Sequence, residues 1–421
     1  MCSWPLHQLD VKNAFLNGYL SKPIFMEQLP GFIDPLYPNH VCRLKKALYG
    51  LRQAPLAWYH RLRNFLCTLG FICSTADTSL FVLRRKSVLI YLLVYVDDIV
   101  VIGNDNAAVS SLLSRLRTEF SIKDLGRLGY FLGLEVSYNS SGLFLSQCKY
   151  ARDILARADL LDSKQVSTPL APGATFTAVG SAFHDPTLYR SLVGALQYLT
   201  ITRPDLAYSV NTVSQFQQHP TLEHFQAVKR ILRYVKGTLS FGLSFSPGQY
   251  GIHGYSDADW ERCIDTRRST YGYAIFLGPN LISWSAKKQP TVSRSSCESE
   301  YRALANTASE LIWVTHLLRD LHASPASPPV LLCDNRSALF LSQNPVSHKR
   351  AKHLDIDCHF VRELVEYGRL ITQFVPSSLQ LADIFTKSLH RQAYEMFRSK
   401  LRVSYNPTLC LRGRASDNYV N

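Results

Sequence analysis

Val88-Leu89-Ile90-Tyr91-Leu92-Leu93-Val94-Tyr95-Val96-Asp97-Asp98-Ile99-Val100-Val101-Ile102-Gly103 is the stretch on which the reading of this chain turns. Val88 to Val96 is a continuous apolar run rich in β-formers, and Ile99 to Ile102 resumes it after two aspartates. The pattern predicts a β-hairpin buried on both faces with the acids at its tip. Aspartates are ordinary turn residues, but a turn alone does not call for so enclosed a support. Carboxylates held rigidly at a strand end suit Mg²⁺, which takes one or two carboxylates together with substrate phosphates. A pair of such ions can clamp the attacking and leaving oxygens of an in-line phosphoryl displacement. The apolar run is too short on either side of the acids to cross a bilayer.

On the N-terminal side, an apolar element from Leu9 ends at Phe15, and a Pro/Gly-rich stretch extends to Asn39. A helix follows, with Pro55 in its first turn, Gly70 at its close, and Trp58, Leu62, Phe65, Leu66 and Leu69 at helical spacing. On the C-terminal side, Ala107 to Phe120 carries Val109, Leu112, Leu113, Leu116 and Phe120 on one helical face. Residues 162–187, rich in Ser, Thr, Pro, Ala and Gly, read as a linker or long surface loop. Helical periodicity returns from Leu188 to Tyr234, broken at Arg203-Pro204 and His219-Pro220. Lys229, Arg230, Arg233 and Lys236 form a basic stripe there, fit to track phosphates or to stand solvated. Beyond Gly237 the pattern predicts three antiparallel strands, a helix from about Glu298 to Arg319 and a strand at Val330 to Cys333. A helix from Lys349 to Tyr367, a strand from Leu370 to Val375 and a helix from Leu379 to Leu389 complete it. The expected fold class is therefore α/β (α+β), ending in a mixed-sheet domain, with a polar tail after Val403.

With 421 residues, two to four domains are expected. Apolar residues at 46% and charged residues at 19% exclude a disordered chain. A net charge of +14 and a pI near 9.3 favour a polyanionic partner, whose condensed counterions basic side chains release. The ten cysteines include no Cys-x-x-Cys pair, which fits a reducing compartment. Without an opening signal peptide or a membrane span, a cytoplasmic or nuclear protein with no membrane partner is expected.

A second set of acids, Asp257, Glu300, Asp334 and Asp383, falls at strand ends and helix starts. Ser295-Ser296-Cys297-Glu298 is a capping box, so Glu298 has a structural task. Glu300 lies about 200° further around the helix and does not share that task. His348, His353, Cys358 and His359 match no common zinc spacing, and Lys349-Arg350-Ala351-Lys352-His353 reads as a basic helix start.

Longer segments around these acids resemble a known family. Gln8-Leu9-Asp10-Val11-Lys12-Asn13-Ala14-Phe15-Leu16-Asn17-Gly18, Lys46-Ala47-Leu48-Tyr49-Gly50-Leu51-Arg52-Gln53-Ala54-Pro55-Leu56-Ala57-Trp58-Tyr59 and Tyr95-Val96-Asp97-Asp98 resemble, in order, the palm motifs of copia-type reverse transcriptases. Tyr255-Ser256-Asp257-Ala258-Asp259-Trp260, Ser295 to Leu304, Cys333-Asp334-Asn335 and Leu381-Ala382-Asp383-Ile384-Phe385-Thr386-Lys387 resemble ribonuclease H of the same type. Tyr189 to Thr238 resembles the thumb and connection between them.

The resemblance implies a polymerase palm in residues 1–145 and a thumb and connection in 146–248. A ribonuclease H-like domain in 249–403 and a disordered tail in 404–421 would follow. Asp10, Asp97 and Asp98 would hold two Mg²⁺ ions, with Mn²⁺ as an alternative, and Asp257, Glu300, Asp334 and Asp383 another two. Asp259 is the rival for the first of those positions. Phe15 would exclude a ribose 2′-hydroxyl and so select dNTPs. Gly50 would admit the nucleotide or template, Tyr95 would sit at the nucleotide, and Leu132 and Gly133, in a hairpin of Phe131 to Val136, would grip the primer. The implied partners are an RNA template, a DNA primer, an RNA/DNA hybrid and dNTPs.

Three departures qualify this. Only nine residues precede Asp10 where the family has a fingers subdomain, so RNA cleavage is expected ahead of DNA synthesis for this chain alone. No histidine precedes Asp383 in Val375 to Gln380, and Glu261-Arg262 replace small residues after Trp260. The rival reading is an inactive retroelement relic that at most binds nucleic acid.

Overall fold

The computed structural model describes residues 4–140, 142–344 and 355–406. The described residues form two compact units, one within 2–129 and His316–Ser324 and the other within Tyr130–Thr315 and 325–421.

In the N-terminal unit, β1 (Leu6–Val11) buries Leu9 and Val11 and leaves Asp10 half-buried between them. β2 (Tyr19–Met26) and β3 (Cys42–Lys46) pair as an antiparallel ribbon flanking the Pro/Gly-rich stretch. α1 (Ala54–Thr68) starts with Pro55 in its first turn and buries Trp58, Leu62 and Leu66 at helical spacing. β4 (Ile72–Cys73), β5 (Leu80–Arg85), β6 (Val88–Tyr95) and β7 (Asp98–Gly103) follow. α2 (Asn106–Glu119) is capped by Asp105, which accepts from the Ala108 amide, and β8 (Ile122–Arg127) closes the unit. The sheet runs β4-β5-β6-β7-β1-β8 with every pairing antiparallel. Its core joins Leu9, Ile90, Leu92 and Val101 to Leu62, Leu112 and Phe120 of the helical layer. The hairpin is therefore buried on both faces along β7 but not along β6. Ile90, Leu92 and Val94 point inward, and on the other face Val100 is buried but Leu93 is 36% and Tyr95 57% exposed, so that face is packed only in part.

The C-terminal unit opens with β9 (Tyr130–Phe131), β10 (Leu134–Asn139), β11 (Gly142–Ser146) and α3 (Cys148–Arg157). α4 (Pro186–Leu199), α5 (Ala207–Ser214) and α6 (Leu222–Gly237) are separated at the two Pro-containing breaks that the sequence marks. β12 (Phe241–Phe245), β13 (Ile252–Asp259), β14 (Thr270–Leu277), β15 (Asn280–Lys288) and α7 (Ser296–Asp320) come next. β16 (Val330–Cys333), α8 (Arg336–Gln343), α9 (Asp355–Glu366), β17 (Ile371–Phe374), α10 (Arg391–Lys400) and β18 (Val403–Tyr405) complete the unit. One sheet runs β18-β12-β11-β10-β9. The other runs β15-β14-β13-β16-β17, antiparallel from β15 to β13 and parallel from there to β17, the mixed α/β arrangement expected. Helices α4 to α6 share one core with Ala274, Phe276 and Phe385 of that region.

Residues 162–185 lack regular structure but are tied down, with Thr168, Leu170 and Phe183 buried. The basic stripe does much of the tying. Arg230 donates to Thr168 Oγ1 at 3.0 Å, Arg233 to the Lys164 carbonyl at 2.6 Å, and Lys236 to the Ser163 carbonyl at 2.6 Å.

Two expectations fail near the C-terminus. Leu379 to Leu389 is not an α-helix but contains short 3₁₀ turns, Ser377–Leu379 and Leu381–Phe385. The Gln380 amide donates to the Ser256 carbonyl at 2.9 Å while its oxygen accepts from Ala382 N, a side-chain tether in place of a helical ladder. Val403–Tyr405 is not part of a polar tail, because it pairs with β12. Residues 407–421, His348 and Lys349 to His353 lie outside the described residues.

Candidate active sites

In the N-terminal unit, β1 and β7 set Asp10 directly opposite Asp98. The Val11 amide donates to the Asp97 carbonyl at 2.8 Å, fixing the hairpin tip against β1. Val96 and Asp97 form a two-residue turn between Tyr95 and Asp98, with Val96 at φ 56°, a left-handed conformation rare for a β-branched residue. Buried Trp58 donates its indole N–H to the Val96 carbonyl at 2.7 Å and braces the turn. Burial, then the neighbouring Asp97, raises the Asp98 carboxyl, with a smaller contribution from Asp10 and an opposing hydrogen bond from Gln8. The three acids thus occupy one sheet end, although their oxygens do not all close to within 4.8 Å of one another.

In the C-terminal unit, parallel pairing of β13 with β16 matches Tyr255 to Leu332, so Asp257 and Asp334, each two residues on, reach the same end of the sheet. Glu300 enters from the first turns of α7 and Asp383 from the 3₁₀ turn Leu381–Phe385. Gly272, opposite Asp257, makes room for that turn: a Cβ there would lie 2.4 Å from Phe385 Cβ and 3.1 Å from the Ser285 carbonyl oxygen.

Ligand atoms of Glu300, Cys333 and Asp334 lie within 4.8 Å of one another, the one such group among the described residues. Burial, then Asp257 and Asp334, pushes the Glu300 carboxyl well above the carboxylate range. Burial and then Asp257 push Asp383 up to about 7, against the pull of Lys387. The Lys387 ammonium stands 2.9 Å from Asp383 Oδ1 and 3.4 Å from Asp257 Oδ2. Thr386 Oγ1 also donates to Asp257 Oδ2, and Ser377 Oγ donates to Asp334 Oδ2 at 2.7 Å. Four carboxyl groups with one ammonium, paired to Asp257 and Asp383 alone, form a site whose negative charge a divalent cation would neutralise, and the oxygen donors are of the hard type that Mg²⁺ takes. The donor set fits. Cys333 adds a soft sulfur that suits Mg²⁺ poorly, and burial and then Glu300 raise its thiol.

A family model described as reverse transcriptase (RNA-dependent DNA polymerase) matches residues 1–172. The chain is 51% identical over 407 residues to the retrovirus-related Pol polyprotein from transposon RE1 of Arabidopsis thaliana, covering 96% of this chain and 28% of that protein. It is 33% identical over 308 residues to the putative transposon Ty5-1 protein of Saccharomyces cerevisiae, covering 72% of this chain and 100% of that protein. The chain belongs to the copia-type retrotransposon Pol family. This Pol chain therefore spans under a third of the RE1 polyprotein's length. Among solved structures, a foamy viral protease-reverse transcriptase in complex with RNA/DNA hybrid is similar at a TM-score of 0.49 and 11% identity, covering 89% of this chain and 44% of that one.

Other positions marked in the Pol sequence fall as follows. Phe15 sits on a 3₁₀ turn and packs on Tyr49 at 4.7 Å between ring centroids. Gly50 has φ 90° and open space where a Cβ would stand. Leu132 and Gly133 form the tight β9–β10 turn, with φ 47° and 77°, and the Tyr198 hydroxyl donates to the Leu132 carbonyl. Asp259 is turned toward Arg262 at 3.6 Å. Arg262 also donates to the Ala174 carbonyl at 2.7 Å, so it braces the end of β13. Glu298 accepts from the Arg294 amide at 2.8 Å while its own amide donates to Ser295 Oγ at 3.2 Å, a variant of the box expected.

Trp58 as a brace, Gln8 beside Asp98 and Lys387 between two acids were not assigned these tasks from sequence. For Lys387 a signal existed in its i,i+4 spacing from Asp383. The sequence also gave no sign of a cavity of about 820 Å³ beside the start of α7, lined by Lys288, Arg294 and Arg302.

Proposed function

We propose that this Pol chain acts on RNA/DNA by two-metal phosphoryl transfer, its C-terminal unit cutting the RNA strand of an RNA/DNA hybrid and its N-terminal unit carrying a polymerase palm. The observation behind the first activity is the convergence of Asp257, Glu300, Asp334 and Asp383, from four separated segments, on one end of a mixed sheet. Mg²⁺ or Mn²⁺, two ions per site, would supply an activated water and neutralise charge developing on the scissile phosphate. The four acids would hold these ions. The raised proton affinity of Glu300 and Asp383 without metal reflects burial first and then the neighbouring carboxylates, which a bound cation would offset. Ser377 would orient Asp334 through its hydroxyl, and Gln380 would keep the Asp383 turn on the sheet. Lys288 and Arg294 would face the anionic backbone from the neighbouring cavity.

In the palm, Asp10, Asp97 and Asp98 would hold the ions for nucleotide addition. Open Gly50 would lie at the dNTP or template, with Phe15 screening the sugar, Tyr95 beside the nucleotide, and Leu132 and Gly133 on the DNA primer. Residues 1–145, 146–248 and 249–403 would serve as palm, thumb with connection, and nuclease. Among the described residues no helix is long and apolar enough to cross a membrane, and action on RNA template and hybrid would place the chain in the cytoplasm or nucleus.

The test is cleavage of an RNA/DNA hybrid with Mg²⁺ by the full chain beside Asp334→Asn. The variant is expected to lose about 10²-fold or more. Equal cleavage by both would remove the nuclease assignment, and inactivity of both would favour a relic that only binds nucleic acid. Primer extension beside Asp97→Asn tests the palm in the same way.

A further inference from the structure

We propose that Lys387 competes with a second divalent cation for Asp257 and Asp383, so that the nuclease cluster takes one ion readily and a second only by displacing the ammonium. The inference rests on the metal-binding reading above.

The four acids are not equivalent in their surroundings. Glu300 and Asp334 lie together beside the thiol of Cys333, and among the described residues neither has an ion-pair partner. Asp257 and Asp383 instead share one ammonium, at 3.4 and 2.9 Å. That ammonium is placed by the backbone: the Lys387 amide donates to the Asp383 carbonyl at 3.0 Å, and the adjacent Thr386 hydroxyl donates to Asp257. Half of the cluster is thus provided with a resident cation, and the other half has none.

The chemistry of lysine suits displacement. Its ammonium is a compact, strongly hydrated charge on a flexible stem, and the Lys387 side chain is 37% exposed, so water is within reach if it swings out. An arginine fork on two carboxylates would leave less readily. Without metal, the ammonium relieves repulsion between Asp257 and Asp383 that would otherwise oppose folding. With metal, the same charge raises the free energy of any second cation brought to those oxygens.

The test uses the full chain with Asp10→Asn and Asp97→Asn, which silence the palm acids. Mn²⁺ is titrated above neutral pH, and unbound ion is read by electron paramagnetic resonance. With Lys387 present, one ion is expected to bind with a second weaker by about tenfold or more. In Lys387→Met the second is expected to tighten by about the same factor, while Lys387→Arg keeps the unequal pair. In thermal melts, Lys387→Met should melt lower without metal and gain more from added Mn²⁺ than its parent does.

Two equal, tight ions in the Lys387 protein would overturn the proposal by themselves, even if Lys387→Met does not fold. An unchanged isotherm in a folded Lys387→Met would overturn it as well. Asp334→Asn separates this failure from the deeper one: Mn²⁺ binding lost in that variant upholds the metal site whatever Lys387 does. Absence of binding in every protein would remove the metal site and the proposal together.

Discussion

Replacing Arg203 by methionine tests how far the C-terminal unit depends on one buried ion pair. Arg203 and Asp205 are 2% and 1% exposed. The guanidinium donates to both carboxylate oxygens of Asp205, at 2.9 and 2.8 Å, and to the Thr238 carbonyl and hydroxyl at 2.9 and 2.8 Å. The Asp205 carboxylate accepts one further hydrogen bond, from the Tyr234 hydroxyl at 2.7 Å. In Arg203→Met the carboxylate stays buried with that single donor, and breaking such a pair costs about 3–5 kcal/mol. At about 1.4 kcal/mol per tenfold, amide hydrogen exchange across α6 and β12 should accelerate by about 10²-fold or more, read by mass spectrometry of peptides spanning Leu222 to Phe245. Asp205→Leu in the same background removes the stranded charge and should recover most of the loss, because apolar replacement of a whole buried pair is often neutral. Exchange changing by less than about tenfold in Arg203→Met, or a double variant as unstable as the summed singles, would refute the reasoning.

Further outcomes follow from the sites. Gly272→Ala should push the turn bearing Asp383 off the sheet, costing about 1–3 kcal/mol and lowering hybrid cleavage, which chemical unfolding and single-turnover assays would show. The Asp383 carboxyl keeps its proton up to about 7 in the folded chain, against an ordinary value of 3.8. Its contribution to metal-free stability is therefore full below about pH 4 and lost as pH rises through about 7. Asp383→Asn, which mimics the protonated form, should melt progressively higher than its parent across that interval in EDTA. Val96→Asn, which tolerates the left-handed turn better, should stabilise the N-terminal unit by about 1 kcal/mol in urea unfolding. Glycine there should gain less, since it loses more chain entropy on folding.

Legibility in the sequence followed the strength of local patterns. The hairpin of β6 and β7 was plain because two apolar runs rich in β-formers flank a pair of aspartates, and α1 because Pro55 and the Trp58, Leu62, Leu66 spacing agree. β10 entered only through the hairpin that the resemblance implies at Phe131 to Val136, because all its residues are half-buried, which erases a period-two signal. α10 went unseen because, among its ten residues, only Tyr394 and Phe397 are buried. The basic stripe of α6 could not be assigned from charge alone. Its partners are backbone carbonyls and a threonine hydroxyl about 60 to 70 positions earlier, which no spacing rule reports. The acids themselves were legible, since each sits in a recognisable segment. Their neighbours Lys387 and Cys333 acquire meaning only once β13, β16 and the final turn are side by side.

Thr386 reaches Asp257 across 129 positions of chain. On the proposed reading, the C-terminal cluster is complete only once the segment from Gln380 to Lys387 has docked on β13. During synthesis on the ribosome, a nascent product that has not yet extruded Asp383 and Lys387 would hold an open, three-acid cleft. Such a chain would lack one of the four proposed metal ligands and could not yet cut a hybrid on that reading, so the order of translation would delay the onset of cutting.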